Sequence, residues 1–149
     1  MIKTVFSNRY YLFFARVIIA LVFICAGSIK ISDPNTFSQA IANYKLTPIW
    51  TINFIAIALP WIEVISGVLL LFGISVKEVS IIILLSLIVF NTAIIINLFR
   101  GLNIDCGCFG GGMKIGLLKL SENFLMIFLS YTLIIFGSDF IVLRKSKLI

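Results

Sequence analysis

Four long apolar stretches alternate with short polar ones along this chain. The first covers 11–31, about 20 residues, which crosses ~30 Å of hydrocarbon as a helix. The second, 49–72, opens on Pro48 and Trp50 and contains Pro60, Trp61 and Glu63. The third, 79–99, carries Asn91 and Asn97, and the fourth, 123–143, follows Ser121, its expected N-cap. Between the first two, Asp33 and Pro34 read as N-cap and first helical position. Phe37, Ala40, Ile41 and Tyr44 then fall at i, i+3, i+4 and i+7, which predicts a short helix lying in the membrane interface. The predicted fold is all-α, one integral membrane four-helix bundle over 1–149 with that interfacial helix after the first span. The first span reads as retained, since a secretory signal has a shorter apolar core and a small-residue cleavage site. Ile24, before Cys25, is also too bulky for a lipoprotein cleavage site.

Composition agrees: 61% of the 149 residues are hydrophobic and mean hydropathy is +1.18, well above a soluble domain. The net charge of +6 lies in loops and tails, with no basic stripe interleaved with aromatics, so nucleic acid is not an expected partner. Histidine is absent, which excludes Ser-His-Asp and Cys-His catalysis, His-ligated haem and His-containing zinc sites. No metal site is expected from this set.

Four spans put both termini on one side. Lys3, Arg9, Arg16, Lys77, Arg144, Lys145 and Lys147 share that side, against Lys30, Lys45, Arg100, Lys114 and Lys119 on the other. The excess predicts cytoplasmic termini. The loop 100–116 then faces outward, where disulfides form and persist.

That loop carries the candidate chemistry. Cys106 and Cys108 are separated only by Gly107, and six of the ten glycines fall between Gly101 and Gly116. A disulfide needs Cα atoms roughly 4.4–6.8 Å apart, which residues two apart in a turn can meet. Glycine tolerates the backbone angles of so small a ring, and strain makes such a bond labile and oxidising. Three readings stand: a redox pair, a soft-metal clamp gripping Cu(I), and a structural staple. Cys25, ~9 Å inside the outer end of its span, is either a small packing residue or a third thiol.

Glu63 is a carboxylate in mid-membrane, expensive unless paired. Taking the inner span ends as level, Arg16 lies ~9 Å deep, Glu63 ~14 Å and Asn91 ~18 Å. Arg16 is therefore the expected partner of Glu63, with Asn91 completing a buried polar cluster. Such a cluster serves as interhelical glue, as a proton route, or as a head-group contact for a quinone. Quinone is the one cofactor these residues suggest.

Four places carry a resemblance. They are Ala-Gly-Ser-Ile-Lys followed by Ser-Asp-Pro-Asn-Thr-Phe (Ala26 to Phe37), Tyr44 with Leu46 and Pro48, Leu-Pro-Trp-Ile-Glu with a later glycine (Leu59 to Glu63, then Gly67), and Asp-Cys-Gly-Cys-Phe-Gly (Asp105 to Gly110). In these the chain resembles the MauE/DoxX-like family of small, redox-associated four-helix membrane proteins. The resemblance implies a bundle in the bacterial cytoplasmic membrane that takes part in disulfide formation or thiol balance of exported proteins. The function expected is thiol–disulfide oxidoreductase or redox partner, with Cys106 and Cys108 meeting an extracytoplasmic thioredoxin-like or cysteine-containing client. The alternatives are a non-catalytic anchor subunit and soft-metal binding or transport.

Overall fold

A computed structural model of the chain describes residues 8–100 and 117–137. Helix α1, Arg9–Ser32, starts where the Asn8 side chain accepts a hydrogen bond from the Tyr10 amide. Asp33 ends it and begins the next. The Asp33 amide donates back to the Ile29 carbonyl, while its carboxylate accepts from the Thr36 amide at 3.1 Å and the Thr36 hydroxyl at 2.6 Å. Those bonds hold the Asp33 carboxyl below its ordinary range. Pro34 supplies the first turn of α2, Pro34–Tyr44, which buries Phe37, Ala40 and Tyr44 on one face. Lys45, in the left-handed region at φ 50°, closes α2.

Helix α3, Ile49–Leu71, and α4, Val76–Phe99, are joined by a tight turn through Gly73 at φ 69°. Helix α5 is Leu117–Phe136, followed by Gly137 at φ 65°, a left-handed stop. The hydrophobic run alone places this helix at 123–143. The structure starts it earlier, so Ser121 lies inside the helix rather than capping it.

The four long helices form a ring in which α1 touches α3 and α5, and α4 touches α3 and α5. Leu12, Ile19, Phe23, Leu70, Ile83, Leu87 and Leu133 fill its centre. The outer surface is equally apolar, with Phe14, Ile57, Trp61, Ile65, Leu85, Val89 and Tyr131 exposed. A bundle greasy on both sides belongs in hydrocarbon. Helices α1, α3 and α4 are each long and apolar enough to span it, and α5 adds a further 20 residues. The protein is an all-helical membrane bundle.

The seam between α1 and α3 is the most extensive contact, and two glycines set it. A Cβ on Gly27 would meet Val64 Cγ2 at 2.7 Å and the Pro60 carbonyl at 2.8 Å. One on Gly67 would meet Ile24 Cγ1 at 2.8 Å and the Ala20 carbonyl at 2.9 Å. Small residues let the two backbones touch, the usual basis of helix association in lipid. The α3–α4 contact is the sparsest of the four between long helices.

Candidate functional site

The glycine seam decides which polar groups meet. Gly27 faces the Pro60–Val64 turn and Gly67 faces the Ala20–Ile24 turn. Both contacts give one antiparallel register, in which Glu63 stands opposite Ala26 and Arg16 opposite the Gly73 turn. Arg16 is therefore about ten residues, or ~15 Å, too far along the helix to be Glu63's partner. The expectation failed because span ends do not fix a register. Backbone contact does, and here it displaces α3 against α1 by about six residues, or ~9 Å.

Glu63 instead pairs with Lys30. The ammonium lies 2.6 Å from Oε1 and 2.7 Å from Oε2, and both residues are buried, at 3% and 4% exposure. A lysine two residues from a helix end would ordinarily reach outward to interfacial water. Helical side chains, however, lean toward their own N-terminus, which here points Lys30 back into the bundle. Two aromatic rings cover it: the ammonium sits 5.1 Å from the Phe37 ring centroid and 4.8 Å from that of Phe90. The cation is thus held by a carboxylate on α3, a ring on α2 and a ring on α4, tying those three elements to α1.

The other expected members lie apart from this pair. Arg16 is buried beside Phe13, its guanidinium 5.3 Å from that ring. Asn91 is buried on α4 one residue beyond Phe90, and neither of its amide atoms has a partner among the described residues. Asn97 donates to the Ala93 carbonyl at 2.9 Å. Arg16, Glu63 and Asn91 are all interior, and among the described residues Glu63 bonds to Lys30 rather than to either of the others. Cys25 is a free thiol on the exposed face of α1. Cys106 and Cys108 lie outside the described residues, in the segment joining Phe99 of α4 to Leu117 of α5.

A cavity of about 340 Å³ lies between α2, α3 and α4, where α3 and α4 touch least. Phe37 and Phe90, the rings over Lys30, form part of its wall, with Tyr44, Thr47, Leu59 and Val89. Burial pushes the Tyr44 phenol up from 10.0 to about 12. The Thr47 hydroxyl oxygen is buried, with no hydrogen-bond partner among the described residues. Sequence reasoning missed Lys30 and this cavity. A signal for Lys30 was present: Gly27 and Lys30 are i, i+3 on α1, and Glu63 and Gly67 are i, i+4 on α3, so each glycine marks the face bearing the charge.

The family described as Methylamine utilisation protein MauE matches residues 8–136. The Methylamine utilization protein MauE of Methylorubrum extorquens is 32% identical over 102 residues, covering 68% of this chain and 55% of that protein. Its namesake in Paracoccus denitrificans is 31% identical over 66% of this chain and 54% of its own length. That of Methylophilus methylotrophus is 35% identical over 64% and 50%. The chain spans about half the length of these curated relatives. No solved structure matches it. A family match running from the cap of α1 to the end of α5, with relatives at this level of identity, makes the chain a member of the MauE family.

Proposed function

We propose that this protein is a membrane-embedded thiol–disulfide exchange protein working through Cys106 and Cys108. The observation that carries the reading is the placement of the pair in sequence. Two thiols one residue apart sit in a glycine-rich segment tethered between the ends of two membrane helices, α4 and α5. The excess of Lys and Arg near the termini supports a cytoplasmic-membrane topology with both termini inside and the pair outside.

The chemistry is exchange through a mixed disulfide. A client thiolate attacks one sulfur of the Cys106–Cys108 bond and displaces the other as thiolate. The client's second thiolate then attacks the mixed disulfide, closing the client's bond and releasing the pair as two thiols. Two electrons have moved from client to pair, and a proton from each client thiol goes to the displaced sulfurs or to solvent. A thioredoxin-like protein or an exported cysteine protein fits as client. The relatives' name supports a place as an accessory of methylamine utilisation, with such a client in that system.

Thiol trapping tests this. Maleimide labelling of acid-quenched, denatured protein taken from a graded thiol–disulfide buffer should show Cys106 and Cys108 switching together under mild reductant, while Cys25 labels throughout. Cys106→Ser with Cys108→Ser should abolish exchange and leave the bundle's thermal unfolding unchanged. A pair that stays locked under mild reductant, or full exchange by the double variant, contradicts the reading.

A further inference from the structure

We propose that Lys30 is a two-position latch for α2. Paired inward with Glu63, it seats that helix on the bundle. Released from Glu63, it reaches the outer interface and lifts the N-terminal half of α2. The device uses neither loop thiol and does not depend on the exchange chemistry.

The inward position is the one the structure holds. Both Glu63 oxygens take the ammonium, at 2.6 and 2.7 Å, and the Phe37 and Phe90 rings cover it at 5.1 and 4.8 Å. Lys30 lies two residues, or ~3 Å, below the last residue of α1. A lysine at that depth can carry its charge to interfacial water, and a buried ammonium without a counter-charge is driven there. Glu63 supplies the pull that keeps it in. Helix α2 begins at this end of α1, so Phe37 stands on the interface side of the ammonium, and the outward path displaces its ring.

The attachments of α2 let it respond. Tyr44, its last residue, packs with Ile94 of α4 and beside Leu120 of α5, which makes a pivot. Between Phe37 and Tyr44, Ala40 and Ile41 line a cavity of about 340 Å³. Close packing would resist a shift of the helix, and a void does not. The Tyr44 anchor is packing indifferent to the charge of Glu63. The Phe37 anchor is a ring on a cation, and it lasts only while the cation stays. A buried ion pair adds little net stability over apolar residues of like size, and fixing register or switching is its best-attested use. Two discrete lysine positions, each with its own place for Phe37, form such a switch.

The test uses a Cys25→Ser/Cys106→Ser/Cys108→Ser protein in lipid nanodiscs. It is spin-labelled at Asn35→Cys and Thr92→Cys, on the exposed faces of α2 and α4. Pulsed EPR reads the distance between the labels, and acylation by a water-soluble succinimidyl ester, resolved by mass spectrometry, reads Lys30. With the native pair, the shorter distance and slow acylation are expected. Glu63→Gln keeps the shape and loses the charge. It should lengthen the distance and speed acylation of Lys30 by on the order of tenfold. Glu63→Asp, charged but one carbon shorter, should fall between, and it stands in if the glutamine variant does not fold. Lys30→Met/Glu63→Leu has no cation to extend and should keep the shorter distance. Either readout unmoved in the folded Glu63→Gln protein overturns the proposal. So does a double variant as open as Glu63→Gln, because lost packing rather than the lysine would then move the helix.

Discussion

The α1–α3 seam and the α3–α4 wedge share one helix and are built oppositely. In the seam, Gly27 and Gly67 bring two backbones together so closely that no added Cβ fits. In the wedge, Leu59 of α3 and Val89 of α4 stand apart around about 340 Å³, with α2 laid across the gap. The Lys30–Glu63 pair stands on the border, its charges belonging to the seam and its covering rings to the wedge. The difference teaches that α3 packs as a rigid wall on one side and borders an open cavity on the other. A buried ion pair fixes where one ends.

Breaking that border should have the largest effect. Lys30→Met leaves the Glu63 carboxylate buried without its counter-charge, and removal of one partner typically costs about 3–5 kcal/mol. The double variant Lys30→Met/Glu63→Leu should recover most of that loss in detergent-titrated unfolding, because two apolar side chains replace the pair. Arg16→Met should show no such coupling to Glu63→Leu. Coupling as strong for Arg16 as for Lys30 would restore the partner that span depths suggest.

Adding volume to each region tests the contrast itself. Gly27→Leu must push against the Pro60 carbonyl and should destabilise by about 1–3 kcal/mol, or more if the seam opens. Ala93→Leu adds three carbons in the wedge and should stabilise by about 0.5–2 kcal/mol through cavity filling. Equal penalties from the two substitutions would show that the wedge is as tightly packed as the seam.

The smallest effect is alkaline. The folded protein holds the Tyr44 proton more tightly than the unfolded chain, with the phenol raised from 10.0 to about 12. The stability this contributes is whole below pH 10 and is lost as pH rises toward 12. Tyr44→Phe should lack that loss, so wild-type and variant stabilities should converge or cross between those values. Parallel curves would mean that the phenol is not buried.

Much of this fold is legible in the chain. Asp33 before Pro34 marks the start of α2 because a carboxylate cap and a ring-fixed φ suit that position alone. The long apolar runs declare helices because only length and hydrophobicity matter for spanning lipid. What hydropathy cannot supply is how one span slides against another. Uniformly apolar helices have no strong polar face to set a register, and α3 and α4 are of that kind. The offset comes from two glycines, and with it comes Lys30, a residue that loop counting assigns to the interface. The start of α5 was obscured for a related reason. Lys119, Ser121 and Glu122 look like loop by polarity, yet the helix runs through them.

The most direct trial of the account is capture of the reaction partner. Cells carrying Cys106→Ser or Cys108→Ser are quenched in acid and resolved without reductant, and any adduct is identified by mass spectrometry. One of the two single variants should retain a mixed disulfide to an exported cysteine protein, absent from the double variant and released by reductant. No adduct from either, with both thiols reached by a membrane-impermeant maleimide only from the cytosolic face, would contradict it.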